Sequence, residues 1–214
     1  MSRFRSVVLD VDSTLSGIEG IDWLAERRGP ECAARSVELT AQAMTGLLSL
    51  EAVYGLRMDA VRPSAGELAA LALAYRVHHA TGARETIAKL AAAGVTLQIV
   101  SGGLREAIEP FAAWLGVAGE AVHAVSIATD AEGNYVGWDT TSPLATSAGK
   151  SVVVQRLRLP EPVLAVGDGV TDLAIRGIGA TFAAFTGFVR RDAVVRGADH
   201  LITSFDELHR LVLP

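Results

Sequence analysis

Asp10 and Asp12 lie two residues apart in VLDVDST, and Asp168 and Asp172 share the stretch GDGVTD. Residues two apart in extended backbone project to the same side, so one carboxylate of the first pair could attack while the other handles a proton. Four carboxylates brought together would repel one another and drift towards protonation. A hard divalent cation relieves that crowding, and magnesium takes carboxylate oxygens together with retained waters and a phosphate. A carboxylate approaching a phosphate dianion meets like charge, which a metal, a lysine and backbone amides can offset. Lys150 in SAGK is the candidate cation, and Gly102, Gly103 and Gly169 permit backbone to come close to phosphate oxygens.

These residues gain meaning from what precedes them. Asp10 ends the apolar run Ser6 to Asp10, Ser101-Gly102-Gly103 follows Val95 to Val100, and Gly167-Asp168-Gly169 follows Val163 to Val166. Such runs suit strands covered on both faces. Ala121 to Val125, Thr181 to Phe185 and the weaker His200 to Ile202 extend the set, with helical patterns at Ala83 to Ala93, Gly149 to Leu159 and Ala193 to Gly197. Ser204 and Glu207 form a capping-box pattern that opens a last helix through Val212. The alternation predicts an α/β fold, a Rossmann-like doubly wound parallel sheet, whose ligands bind beyond the carboxyl ends of the strands. Any one of these Asp- and Gly-rich tripeptides would be read as a turn. Three strand ends of this kind point instead to one shared site.

Two segments break the rhythm. Glu19 to Tyr75 carries helical spacing throughout and predicts an inserted helical cap, placed at 16–76, with the catalytic core at 1–15 and 77–214. Ser126 to Asp139, with Gly133-Asn134 at its middle, predicts a β-hairpin.

The 214 residues are half apolar and one-fifth charged, as in soluble globular proteins, and the net charge of −5 offers no general attraction to nucleic acid or an anionic membrane. Cys32 is the only cysteine, which rules out an internal disulfide and a cysteine-rich metal site, and it is read as a buried packing thiol. Without a leader-like or membrane-length apolar stretch, the expected location is cytoplasmic. The five histidines form no ligand pattern, and the tryptophans and tyrosines are read as core.

DVDST, SGG after a strand, a later lysine and GDGVTD together resemble the motifs of the haloacid dehalogenase superfamily of phosphatases. Within it, DVDSTLSGIEGIDWLA, QAMTG, RMDAVRPS, QIVSGGLRE, NYVGWDTTSPLATSAGK and VGDGVTDLAI resemble the phosphoserine phosphatase family along nearly the whole chain. The resemblance implies magnesium-dependent hydrolysis of O-phospho-L-serine, the last step of serine biosynthesis, by a monomer or homodimer. It implies that Asp10 is phosphorylated in turnover and that Asp12 serves as general acid and then base. Magnesium would rest on Asp10, the Asp12 backbone carbonyl and Asp168, with Asp172 and Gly169 in support. Ser101, Gly102, Gly103, Lys150 and Thr171 would meet the phosphoryl group. Glu19 and Arg57 would meet the substrate's ammonium and carboxylate, and Met44 would line the pocket. The sequence departs from the family's common pattern at Thr171, Ala83 and Leu50. Another small phosphate ester, phosphotransfer to an alcohol, and phosphoamino-acid binding without catalysis are the competing readings.

Overall fold

A computed structural model describes residues 2–44 and 47–214, without the side chains of 41, 43 and 44. In chain order β1 (Ser6–Leu9) leads into α1 (Gly20–Arg27), α2 (Pro30–Met44), α3 (Leu50–Val61), α4 (Ala65–Val77) and α5 (Ala83–Ala92). β2 (Thr96–Leu104), α6 (Arg105–Leu115), β3 (Val122–Val125) and the antiparallel hairpin β4 (Ile127–Thr129) and β5 (Tyr135–Trp138) follow. α7 (Gly149–Leu157), β6 (Val163–Gly167), α8 (Val170–Leu173), β7 (Thr181–Phe185), α9 (Asp192–Gly197), β8 (His200–Ile202) and α10 (Phe205–Val212) complete the chain.

Among the described residues, six strands form one parallel sheet in the order β3-β2-β1-β6-β7-β8. β1 is central and buried along its length, which is why SVVL carries no polar–apolar alternation. The chain crosses from β1 to β2 on one side and returns to β6 on the other, so strand order reverses beside β1, where ligands settle in open α/β sheets. Leu9 is in register with Ile99 of β2 and with Val166 of β6. Asp10, Ser101 and Asp168 therefore stand one or two residues beyond a common level, at one edge of the sheet.

The four helices after β1 carry the helical segment expected from its spacing. α4 starts on a complete capping box, with Ser64 Oγ accepting from Glu67 N and Glu67 Oε2 accepting from Ser64 N at 2.9 Å. The tail of α4 reaches the core, where Tyr75 stacks on Phe111 of α6 with centroids 5.6 Å apart.

Three local expectations need correction. β2 does not stop before Ser101; it runs through SGG to Leu104, and its register against β3 shifts between Val100 and Leu104. The side-chain-free Gly102-Gly103 step lets the chain bulge without losing its neighbour. At α10, Ser204 caps Glu207 N as expected, but Glu207 Oε2 accepts from Thr203 N at 2.6 Å, so the reciprocal half of the box is displaced by one residue. Cys32 is only half-buried, against the carbonyl of Ala60.

Candidate active site

The carboxyl ends of β1 and β6 bring Asp10 and Asp168 together, and the first turn of α8 adds Asp172. One carboxylate oxygen from each lies within 4.8 Å of the others, and all three residues are buried. Lys150, in the first turn of α7, sits among them with Nζ 2.8 Å from Asp10 Oδ1 and 2.8 Å from Asp172 Oδ1. Burial alone would depress the lysine's pKa, but the two carboxylates outweigh it and hold the ammonium charged. Asp172 Oδ2 accepts from Gly169 N at 3.1 Å. Burial and the Asp10 charge raise Asp172 to about 8, against the opposing pull of Lys150. Asp168 is also raised, first by burial and then by Asp10, and Arg191 opposes this.

Asp12 stands apart from this group. Its Oδ1 accepts from Tyr75 OH at 2.7 Å and its Oδ2 from Gly20 N at 3.2 Å. Burial, and then the charge of Glu19, hold its carboxyl well above the usual range, with Asp10 adding to the effect. A side chain at residue 20 would place its Cβ 2.1 Å from the Tyr75 hydroxyl, so glycine is required for this contact. Glu19 Oε1 accepts from Ser13 Oγ at 2.7 Å; partial desolvation, and then Asp168 and Asp10, raise its pKa, though its side chain stays 44% exposed.

A cavity of about 300 Å³ opens over these groups. Its floor includes Asp10, Asp12, Ser101, Gly102, Gly103, Lys150, Asp168, Gly169, Thr171 and Asp172, while Glu19, Leu50, Tyr54 and Arg57 of the helical segment line its other side. All the expected site residues whose side chains are described thus meet in one place. Met44 ends α2, and its side chain lies outside the described residues. Ser101 Oγ accepts from Gly103 N at 3.1 Å, which fixes the serine at the bulge in β2. None of the five histidines lines the cavity.

Three participants went unrecognised in the sequence. Arg191, just before α9, donates from Nε to Asp168 Oδ2 at 2.8 Å and approaches Glu19 Oε1 at 3.4 Å through Nη2. Its only sequence signal was the Arg190-Arg191 pair, which reads as solvated charge. Tyr75 is buried as core, as expected, but its hydroxyl holds Asp12. Tyr54, also read as core, packs on Trp138 at 5.0 Å while lining the cavity.

The donor set fits a hard divalent cation. Three carboxylates converge, all ligand atoms are oxygens, and buried Asp10 Oδ1 has a charge contact with Lys150 but no aligned hydrogen bond.

The model of the haloacid dehalogenase-like hydrolase family matches residues 7–175. The chain belongs to that family. Phosphoserine phosphatase of Bos taurus is 34% identical over 206 residues, spanning 95% of this chain and 91% of the relative. The chloroplastic phosphoserine phosphatase of Arabidopsis thaliana is 34% identical over 210 residues, spanning 95% of this chain and 70% of the relative. A phosphoserine phosphohydrolase-like protein of Francisella tularensis shares the fold, with a TM-score of 0.85 at 24% identity over 97% of this chain and 99% of that one. This chain is accordingly a phosphatase, of a family whose phosphatases use a divalent metal. No helix among the described residues is long and apolar enough to cross a membrane.

Proposed function

We propose that this phosphatase hydrolyses O-phospho-L-serine to L-serine and phosphate through a phosphoryl group carried on Asp10. The supporting observation is the single cavity in which Asp10 and Lys150 face Glu19 and Arg57. A zwitterionic amino-acid ester needs both a carboxylate and a cation beyond the phosphate site, and the helical segment, which we place at 16–76 as a substrate-selecting cap, offers both. The 34% identity to phosphoserine phosphatases over 95% of the chain supports the same reading.

The proposed sequence begins with the Asp10 carboxylate attacking phosphorus as the bond to the serine oxygen breaks. Asp12, held above the usual carboxylate range by burial and by Glu19, gives its proton to the leaving oxygen. Asp12 then takes a proton from the water that attacks the phosphoaspartate, and phosphate leaves with Asp10 restored. Lys150 neutralises the approach of carboxylate to phosphate throughout. Ser101 and the amides of Gly102 and Thr171 hold the phosphoryl oxygens, while Gly103 and Gly169, whose amides hold Ser101 and Asp172, leave room for the phosphoryl group to approach the backbone. Magnesium is the proposed cation; Asp10 and Asp168 would hold it with the Asp12 carbonyl, and Asp172 would support it. When bound, it would add positive charge to that of Lys150 and Arg191 and so offset the remaining carboxylate charge and that of the phosphate. Glu19 receives the substrate ammonium and Arg57 its carboxylate.

A panel of small phosphate esters assayed with and without magnesium tests the reading. Phosphoserine is expected to give the highest kcat/KM, and a sugar phosphate turned over more efficiently would overturn the substrate assignment.

A further inference from the structure

Arg57 lines the cavity from α3, but its guanidinium is already held on one edge. Nε donates to Ser36 Oγ at 3.0 Å and Nη2 donates to Asp22 Oδ1 at 2.6 Å. Ser36 Oγ in turn donates to the same Asp22 oxygen at 2.6 Å, which closes a three-membered ring across α1, α2 and α3. Ser36 is 3% exposed, and the Arg57 side chain is 17% exposed. Neither Asp22 nor Ser36 lines the cavity.

Covalent geometry then decides what remains. A guanidinium has five N–H donors in a fixed plane, and Nε with one Nη2 hydrogen forms its side-on fork. That fork is the one occupied. Among the described residues no partner holds the Nη1 hydrogens or the second Nη2 hydrogen, and these make up the end-on fork that matches a carboxylate bidentately. An unrestrained arginine gives up rotamer freedom when it grips a ligand. Here the ring imposes that order before any ligand arrives.

We propose that Asp22 and Ser36 are positioning residues that aim the end-on fork of Arg57 at the carboxylate of an amino-acid phosphate ester, which deepens the phosphoserine reading and rests on it. Asp22 also partly neutralises Arg57, which would weaken its pull on a substrate carboxylate. Orientation outweighs that loss, because Asp22 keeps a 34% exposed side chain whose charge water screens, whereas the buried hydroxyl of Ser36 and the short bonds fix the plane.

Asp22→Ala, Ser36→Ala, Ser36→Thr and Arg57→Ala, each checked for an unchanged melting curve, would be assayed on phosphoserine and on p-nitrophenyl phosphate, which has no carboxylate. Asp22→Ala and Ser36→Ala are expected to raise KM for phosphoserine about three- to tenfold with kcat nearly unchanged, as the lost ordering implies. They should leave kinetics on p-nitrophenyl phosphate as they were, and Ser36→Thr, which keeps the hydroxyl, should restore the KM. If Arg57→Ala selectively impairs phosphoserine while the Asp22 and Ser36 variants leave its KM unchanged or lower it, the positioning role is wrong and the phosphoserine reading stands. Parallel losses on both esters in the Asp22 and Ser36 variants would show support of the fold alone and overturn the positioning role as well. If Arg57→Ala reduces both esters equally, the phosphoserine reading fails and takes this inference with it.

Discussion

At the scale of single residues the account turns on charge. Asp10→Asn keeps the shape of the side chain and removes the attacking carboxylate, so turnover should fall by several orders of magnitude while the protein still folds. Asp12→Asn should be comparably severe, because the amide can neither protonate the leaving oxygen nor activate water. Steady-state kinetics with a circular-dichroism control check both. Arg57→Ala should cost about 2–5 kcal/mol in kcat/KM on phosphoserine, the range for removing one partner of a desolvated charge pair, and Glu19→Gln should act similarly through the ammonium. Arg57→Ala should leave the rate on p-nitrophenyl phosphate nearly unchanged, whereas Glu19→Gln, which also removes a charge that raises Asp12, should lower it less than it lowers the rate on phosphoserine. Losses of equal size on both esters would assign these two residues to the fold or the chemistry. The motif carboxylates, Ser101 and Lys150 could be read from strand-end placement, because a residue directly after an apolar run has little freedom in where it points. Arg191 could not be read that way. It reaches Asp168 from 23 residues further along the chain, and only the return of β7 beside β6 brings it there.

At the scale of elements, two contacts hold the site's supports in place. Glu67 completes the cap of α4 and pairs with Arg28 through both carboxylate oxygens, Oε2 accepting from Nη2 at 2.7 Å. The hydrogen bonds from Arg28 lower its pKa to about 2. A carboxyl with a lowered folded-state pKa adds stability above its unfolded value of about 4.5, and that contribution is lost as pH falls towards 2. Glu67→Gln, which keeps an acceptor for the cap, should therefore lower stability by no more than about 1 kcal/mol at pH 7 for so accessible a pair. The gap to wild type should close below about pH 4. Urea melts across that range measure it, and a gap constant with pH would contradict the assignment. Gly149 is the second contact. A Cβ there would lie 1.8 Å from the Pro143 carbonyl oxygen, one residue before Lys150. Gly149→Ala should lower the melting temperature and depress kcat together, since the backbone that aims Lys150 must shift. Most strands and helices were legible from apolar runs and their spacing. The continuation of β2 through SGG was not, because glycine carries no pattern and only pairing with β3 keeps it extended.

At the scale of the whole molecule, two layers meet over one cavity, with the sheet edge supplying the carboxylates and the helical segment supplying Glu19 and Arg57. The alternation of runs and helices carried the parallel sheet into view, and the long strand-free segment after β1 carried the helical insertion. The chain did not reveal that Tyr75 of α4 would hold Asp12, since a buried tyrosine in an apolar helix looks like packing until its hydroxyl finds a partner. The crowding of Asp10, Asp168 and Asp172 predicts that excess chelator abolishes turnover, that magnesium restores it, and that calcium, with its looser and higher coordination, restores it poorly. Full activity in chelator would contradict that expectation. The central claim is that the phosphoryl group passes through Asp10, and it can be read chemically. Enzyme quenched during turnover of phosphoserine and reduced with borohydride, which converts an aspartyl phosphate to homoserine, should carry homoserine at position 10 by peptide mass spectrometry. Asp10→Asn should carry none. An unmodified Asp10 in wild-type enzyme trapped under saturating phosphoserine, with phosphate still released at the full rate, would contradict the account.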